Sequence, residues 1–207
     1  MYGFTFHIDM RFYFLIGVFL LFGLQMAKGQ DISSSATWSQ DLTNIQQNGM
    51  LVLGSWAIGN FAVSGYQMTR TKGTTYYFHQ MNVFWNTVNL GIAIGGYLGA
   101  NQLGGDMSSM ELLKEYNNFS KILLINTGLD VAYVMTGLYL RERSANVEKH
   151  ARRLKGYGHS LMLQGGFLFA FDLALVLINE DALSSLMGSE NLQLSLMPGG
   201  FHFAWHF

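Results

Sequence analysis

Four stretches of this chain are apolar for longer than a soluble helix needs. Residues 49–69 contain no Asp, Glu, Lys or Arg. The uncharged interval between Lys72 and Asp106 holds a second stretch, near residues 80–101. Residues 122–140 form a third, interrupted by Asp130, and residues 156–179 a fourth, interrupted by Asp172. A helix rising ~1.5 Å per residue crosses ~30 Å of hydrocarbon in ~20 residues, so each stretch is long enough to span a bilayer. Helices at the surface of a soluble bundle carry a charged stripe, and these do not. The pattern predicts an all-α integral membrane protein, a four-transmembrane-helix bundle occupying residues 49–180.

The two ends follow different patterns. Residues 10–30, MRFYFLIGVFLLFGLQMAKGQ, show one Arg, an apolar run over 12–24, then Ala27-Lys28-Gly29. The run is short for a span, and small residues at Ala27 and Gly29 fit cleavage after Gly29. Residues 1–29 therefore read as a cleaved signal peptide, with Met10 the better start; the alternative is an uncleaved anchor helix. Residues 30–48 form an extracytoplasmic N-terminal segment, in which Thr37 or Ser39 could cap a helix and Trp38, Leu42 and Ile45 share a face. Residues 181–207 form an extracytoplasmic tail. There Leu192, Leu194 and Leu196 alternate with polar positions, as do Phe201, Phe203, Trp205 and Phe207 beyond Pro198-Gly199-Gly200. Period-two alternation around a turn signal predicts a short β-hairpin with one aromatic face. His202 and His206 share its other face, a pair too small to argue for a metal.

Within the spans the polar residues repeat at helical steps. Trp56, Asn60, Ser64 and Gln67 line one face of the first, and Asn82, Asn86 and Asn89 one face of the second. Asn126, Asp130 and Tyr133 line the third, and Gln164 and Asp172 lie on the fourth. Lipid offers these groups no hydrogen bonds, so the stripes should face one another. Counting from the span centres brings Asn60, Asn89 and Asp130 near the midplane. The candidate intramembrane polar site is accordingly Asn60, Asn86, Asn89, Asp130 and Tyr133, with Asp172 toward the outer side. Gly91, Gly95 and Gly99 make a small-residue ridge opposite the Asn stripe, suited to close contact with a helix of this chain or of another copy.

Charge supplies an orientation. Arg70 and Lys72 follow the first span, and Arg141, Arg143, Lys149, Arg152, Arg153 and Lys155 follow the third. The loop between spans two and three has Lys114 and Lys121 among Asp106, Glu111 and Glu115. The positive-inside rule assigns the first two groups to the cytoplasm. Both mature termini are then outside a bacterial-type inner membrane crossed several times, which agrees with the signal peptide. The segments ending at Gly65 and Gly137, LVLGSWAIGNFAVSG and LLINTGLDVAYVMTG, also align, as if one helical hairpin occurred twice.

Composition excludes more than it identifies. The 207 residues carry a net charge of −1, so nothing global points to nucleic acid. The absence of Cys removes disulfides, thiolate nucleophiles and Cys-ligated metal centres. No nucleophile elbow, phosphate loop or zinc-protease helix occurs, so an enzyme is not expected and no cofactor is assigned. The expected partners are the lipid bilayer and either a second copy or another membrane protein. Three functions remain. The first is a non-enzymatic scaffold or accessory subunit. The second is a small-solute, proton or ion transporter working through the site around Asp130, where the rival reading is a buried polar knot fixing helix register. The third is a haem- or metal-binding subunit using His79 and His159, two imidazoles that otherwise serve as polar caps at the cytoplasmic helix ends.

Overall fold

A computed structural model describes residues 35–101, 107–189, 192–197 and 200–205. The expected signal peptide lies outside the described residues. Among the described residues there are four long helices: α1 Ser35–Met68, α2 Gly73–Ala100, α3 Ser109–Arg143 and α4 Ala151–Ser189. Two short strands follow, β1 Leu192–Met197 and β2 Gly200–Trp205, paired antiparallel with Leu192 opposite Trp205 and Met197 opposite Gly200.

The helices run past the apolar stretches. Residues 35–48 continue into α1 without a break, so Thr37 and Ser39 lie inside a helix that begins at Ser35 rather than capping it. α4 extends 39 residues, about 58 Å at ~1.5 Å per residue. By length and composition α3 and α4 are apolar enough to cross a membrane. α1 and α2 are long enough, but amides and hydroxyls such as Gln46, Gln47, Thr74, Asn82, Asn86 and Asn89 dilute them.

Local chemistry sets the boundaries. α2 starts where extended Lys72 meets Gly73 at φ 63°, a left-handed turn that glycine adopts without a Cβ clash. α3 opens with a capping box: the Ser108 side chain accepts from the Glu111 N–H, while the Glu111 carboxylate accepts from the Ser108 N–H at 3.0 Å. α4 follows His150, which sits at φ 74°.

Two hairpins, α1–α2 and α3–α4, pack together mainly through α2 and α4. Their inner and outer faces are inverted along the middle of the bundle. Ile58, Val63, Phe84, Val88, Ile92 and Ile125 are exposed there, while Asn82, Asn86, Asn89, Asp130, Gln164 and Asp172 are buried. At one end the order is ordinary. Leu42 of α1, Leu112, Leu113 and Tyr116 of α3, and Leu183 and Leu186 of α4 form an apolar core, flanked by Trp38 and Ile45. The Tyr116 hydroxyl donates to the Trp38 carbonyl at 3.1 Å.

Close helix contact does not use the Gly91, Gly95 and Gly99 ridge. A Cβ at any of these would meet nothing within 4 Å. The Asn face of α2 turns inward, which leaves the opposite ridge facing out of the bundle. Contact between α3 and α4 runs instead through Gly137 and Gly158, where a Cβ on either would lie 2.6 Å from the other's carbonyl oxygen. Gly156 meets α2 equally closely, its Cβ position 2.5 Å from the Thr74 carbonyl oxygen. Gly65, which aligns with Gly137 in the repeated segments, has open space around it, so the aligned glycines do different jobs.

Backbone atoms cannot yield as a flexible side chain can. Gly158→Ala should therefore destabilise the protein by about 1–3 kcal/mol, the range for overpacking. Gly91→Ala and Gly99→Ala should be neutral or stabilising by up to ~1 kcal/mol through helix propensity. Unfolding in detergent micelles separates the two cases, and equal effects at Gly158 and Gly91 would refute this assignment of the contacts.

Candidate functional site

The buried polar groups form two layers. The first joins α1, α2 and α4. Asn82 Oδ1 accepts from Ser160 Oγ at 2.7 Å and from Gln164 Nε2 at 2.9 Å. Gln164 Oε1 in turn accepts from Trp56 Nε1 at 3.0 Å. The Trp56 ring stacks on Phe167 with centroids 3.8 Å apart, which fixes the indole's direction. Asn86 Nδ2 donates to the Asn82 carbonyl at 2.8 Å. This layer has few loose ends and acts as a fastener.

The second layer is chemically different. Asp130 on α3 and Asp172 on α4 are 2% and 5% exposed, and their carboxyls lie close enough to interact. Ionised carboxylates only accept, so a bond between two carboxyls requires a proton on one of them. Gly165 lets α4 pass close by: a Cβ there would lie 2.9 Å from the Asp130 carbonyl oxygen. Asp130 Oδ2 and, on α2, Asn86 Oδ1, Asn89 Nδ2 and Trp85 Nε1 are buried with no hydrogen-bond partner. The Trp85 ring packs edge-on against Tyr133, centroids 4.7 Å apart, linking α2 to α3. Asn89 lies one turn beyond Trp85, and Asp130 nearly one turn before Tyr133. Because α2 and α3 run in opposite directions, this ring contact sets Asn89 level with Asp130.

The sequence-derived site thus divides. Asp130 and Asp172 form the carboxyl layer, Tyr133 and Asn89 come level with it through the Trp85 ring contact, and Asn86 bonds within the amide layer. Asn60 stands apart: it is half-buried on α1, and its Nδ2 donates to the Trp56 carbonyl of its own helix at 2.9 Å. Gln164 and Asn82, which carry the first layer, belong to the polar stripes but not to the candidate site. A third group has no counterpart in the sequence reading. Asn179 Nδ2 donates to Ser120 Oγ at 2.7 Å and to the Tyr116 carbonyl at 3.0 Å, and Ser120 Oγ donates to Glu180 Oε1 at 2.6 Å. Ser120 and Glu180 fall just outside the apolar stretches, where a polar residue carries no signal.

His79 and His159 turn to different neighbours. His79 Nδ1 lies 3.1 Å from Ser64 Oγ on α1. His159 stands near the positive charges of Arg141 and Lys155, surroundings that oppose a metal cation. Among the described residues no three or more His, Cys, Asp or Glu side chains cluster as metal ligands would. Near the start of α1, burial pushes the Asp41 carboxyl above its ordinary range.

Gln164→Leu removes both bonds of the central amide and strands the Trp56 N–H. The expected cost is about 1–2 kcal/mol, within the range for buried hydrogen bonds in membranes and in water. Unfolding of the purified variant in micelles measures it, and an unchanged midpoint would show that the amide layer is no fastener.

Comparison with known proteins adds a family. No curated protein and no solved structure matches the chain. A family model matches residues 52–173, more than half of the chain. The matched segment runs from the middle of α1 to the residue after Asp172, so it contains both polar layers and leaves out the strands. The chain belongs to this family, DUF6992, a family of unknown function.

Proposed function

We propose that this chain is a multi-pass membrane protein whose Asp130–Asp172 pair holds an exchangeable proton or monovalent cation, as in a small ion-coupled transporter. The bilayer is crossed four times, at residues 49–69, 80–101, 122–140 and 156–179. The basic loops face the cytoplasm, and the ends of the mature chain lie outside an inner membrane. Support for the membrane comes from the inverted bundle, with aliphatic side chains outward and amides and carboxyls inward. Water-soluble bundles show the opposite arrangement. Charge asymmetry between the loops supports the orientation.

One observation carries the ion reading: two buried carboxyls from different helices meet, and Asp130 Oδ2 is left without a partner. A fully structural knot satisfies its members. Here a carboxyl oxygen is left over, which suits a group that gains and loses a cation. With one proton present, the protonated carboxyl donates to its partner. Loss of that proton to solvent leaves two anions with no proton to share, and a monovalent cation could then bridge their oxygens. Such intramembrane carboxyls are costly unless they serve a pathway.

The test is flux. Wild-type protein in phosphatidylcholine vesicles with an internal pH dye should dissipate an imposed proton or sodium gradient faster than empty vesicles. Asp130→Asn and Asp172→Asn should abolish the difference while melting within a few degrees of wild type. Flux at the empty-vesicle level, or flux that survives both substitutions, would overturn the reading.

The outward ridge of Gly91, Gly95 and Gly99 favours a second reading, an accessory subunit that associates with a further helix, such as that of a second copy. Gly95→Leu should then lower the fraction of cross-linked dimer in micelles without changing the melting temperature. An unchanged dimer fraction, or no dimer at all, rejects that reading for a second copy.

A further inference from the structure

At the loop end of the bundle, the α1–α2 turn and the start of α4 enclose a crevice of about 810 Å³. Lys72, Arg152 and Arg153 line it, together with His150, Tyr76 and Thr71. Glu148 is its acidic member, so three cations face one anion. A second crevice of about 480 Å³ adjoins it, lined by Arg141, Arg152 and Lys155 with Glu142. Arg152 lies on the wall between the two. Its aliphatic stem is seated on α2, with Cδ 3.5 Å from where a Gly73 Cβ would stand. Among the described residues, Lys72, Arg152, Arg153 and Lys155 make no ion pair.

Two further features single out this crevice. Both residues with positive φ in the described chain, Gly73 at 63° and His150 at 74°, line it. Left-handed backbone at a residue with a Cβ is held there by its surroundings, and such positions gather at binding sites. The first turn of α4 also opens on the crevice through Ala151, Arg152 and Arg153, whose N–H groups have no intrahelical acceptor. Guanidinium forks, an ammonium and free N–H groups together are the chemistry that receives a tetrahedral oxyanion. Topology alone requires basic residues in these loops; it does not require them to converge on one concave site around a pre-seated arginine.

We propose that this crevice binds a phosphate-bearing anion, with Arg152 as its central ligand and Lys72 and Arg153 as flanking ones. Two sources share this chemistry: the phosphodiester headgroup of an anionic lipid, and free phosphate. The site is independent of the Asp130–Asp172 pair, and its test does not read ion flux.

Phenylglyoxal modification of individual arginines, followed by peptide mass spectrometry, reports occupancy directly. In neutral detergent, sodium phosphate should slow modification of Arg152 and Arg153 severalfold relative to sodium chloride at equal ionic strength. Alternatively, nanodiscs containing phosphatidylglycerol should protect both residues severalfold over phosphatidylcholine nanodiscs while inorganic phosphate does not. The first outcome assigns a free phosphate and the second a lipid headgroup, and either supports the site. Arg143, which lines neither crevice, is the internal control. Lys72→Gln should weaken the protection, and Arg152→Gln should abolish it at Arg153. Should Arg152→Gln fail to fold, Lys72→Gln and Arg152→Lys carry the test. No protection by either probe, protection of Arg143 to the same degree, or protection undiminished in the variants would overturn the proposal.

Discussion

A polar side chain inside a bundle with an apolar exterior has nowhere to find a hydrogen bond except on a neighbouring helix. The middle of this protein obeys that constraint, and it fixes the rotation of each helix about its axis. Asn82 must meet Gln164 and Ser160, and Gln164 must meet Trp56. Turning α2 by a quarter of a revolution would bury Ile92 and expose three amides. In lipid such a turn is opposed by unsatisfied donors and acceptors, not by lost apolar burial. The fold's specificity in this region is thus carried by directional bonds, whereas one end of the bundle relies on the ordinary packing of Leu42, Leu112, Tyr116 and Leu186.

Much of this was legible in the sequence, and the reason is periodicity. Asn82, Asn86 and Asn89 recur at the spacing of one helical face, and a repeated face declares its orientation before any neighbour is known. The four helices were legible for the same reason, through their length and lack of charge. Partner choice was not. Nothing in the spacing says that Asn82 bonds to Gln164 while Asn60 bonds back to its own helix. That depends on axial offsets between helices, and these come from loop geometry. The glycines show the limit most clearly. Gly91, Gly95 and Gly99 have the regular spacing of a contact ridge, yet they face outward. Gly137, Gly158 and Gly165 have no mutual spacing to read because they lie on two helices. Their roles emerge once α3 and α4 are antiparallel and in register. The Ser120–Asn179–Glu180 group was hidden because it lies where helices leave the apolar stretch and polarity is unremarked.

The two polar layers divide labour. The amide layer is nearly saturated, with Asn86 Oδ1 its loose acceptor, and behaves as structure. In the carboxyl layer, Asp130 and Asp172 meet while Asp130 Oδ2 is left over. A saturated layer next to an unsaturated one is an arrangement in which the first can hold its shape while the second changes its proton or ion. The basic crevice lies at the end of the bundle away from the apolar core and draws on different elements, so charge at the surface and charge in the interior are handled by separate parts of the chain.

The contact at Gly137 and Gly158 has a mechanical consequence. With carbonyl oxygens pressed against the facing α-carbons, α3 and α4 cannot slide along each other without first parting, but they can tilt about that point. It is a fulcrum. Asp130 lies seven residues from Gly137, and Asp172 fourteen from Gly158, so the carboxyls sit on the two arms of a pair of shears. A small change of angle at the glycines is magnified with distance along each arm. Opening the blades would part the carboxyls and admit water to them, while the hinge itself barely moves.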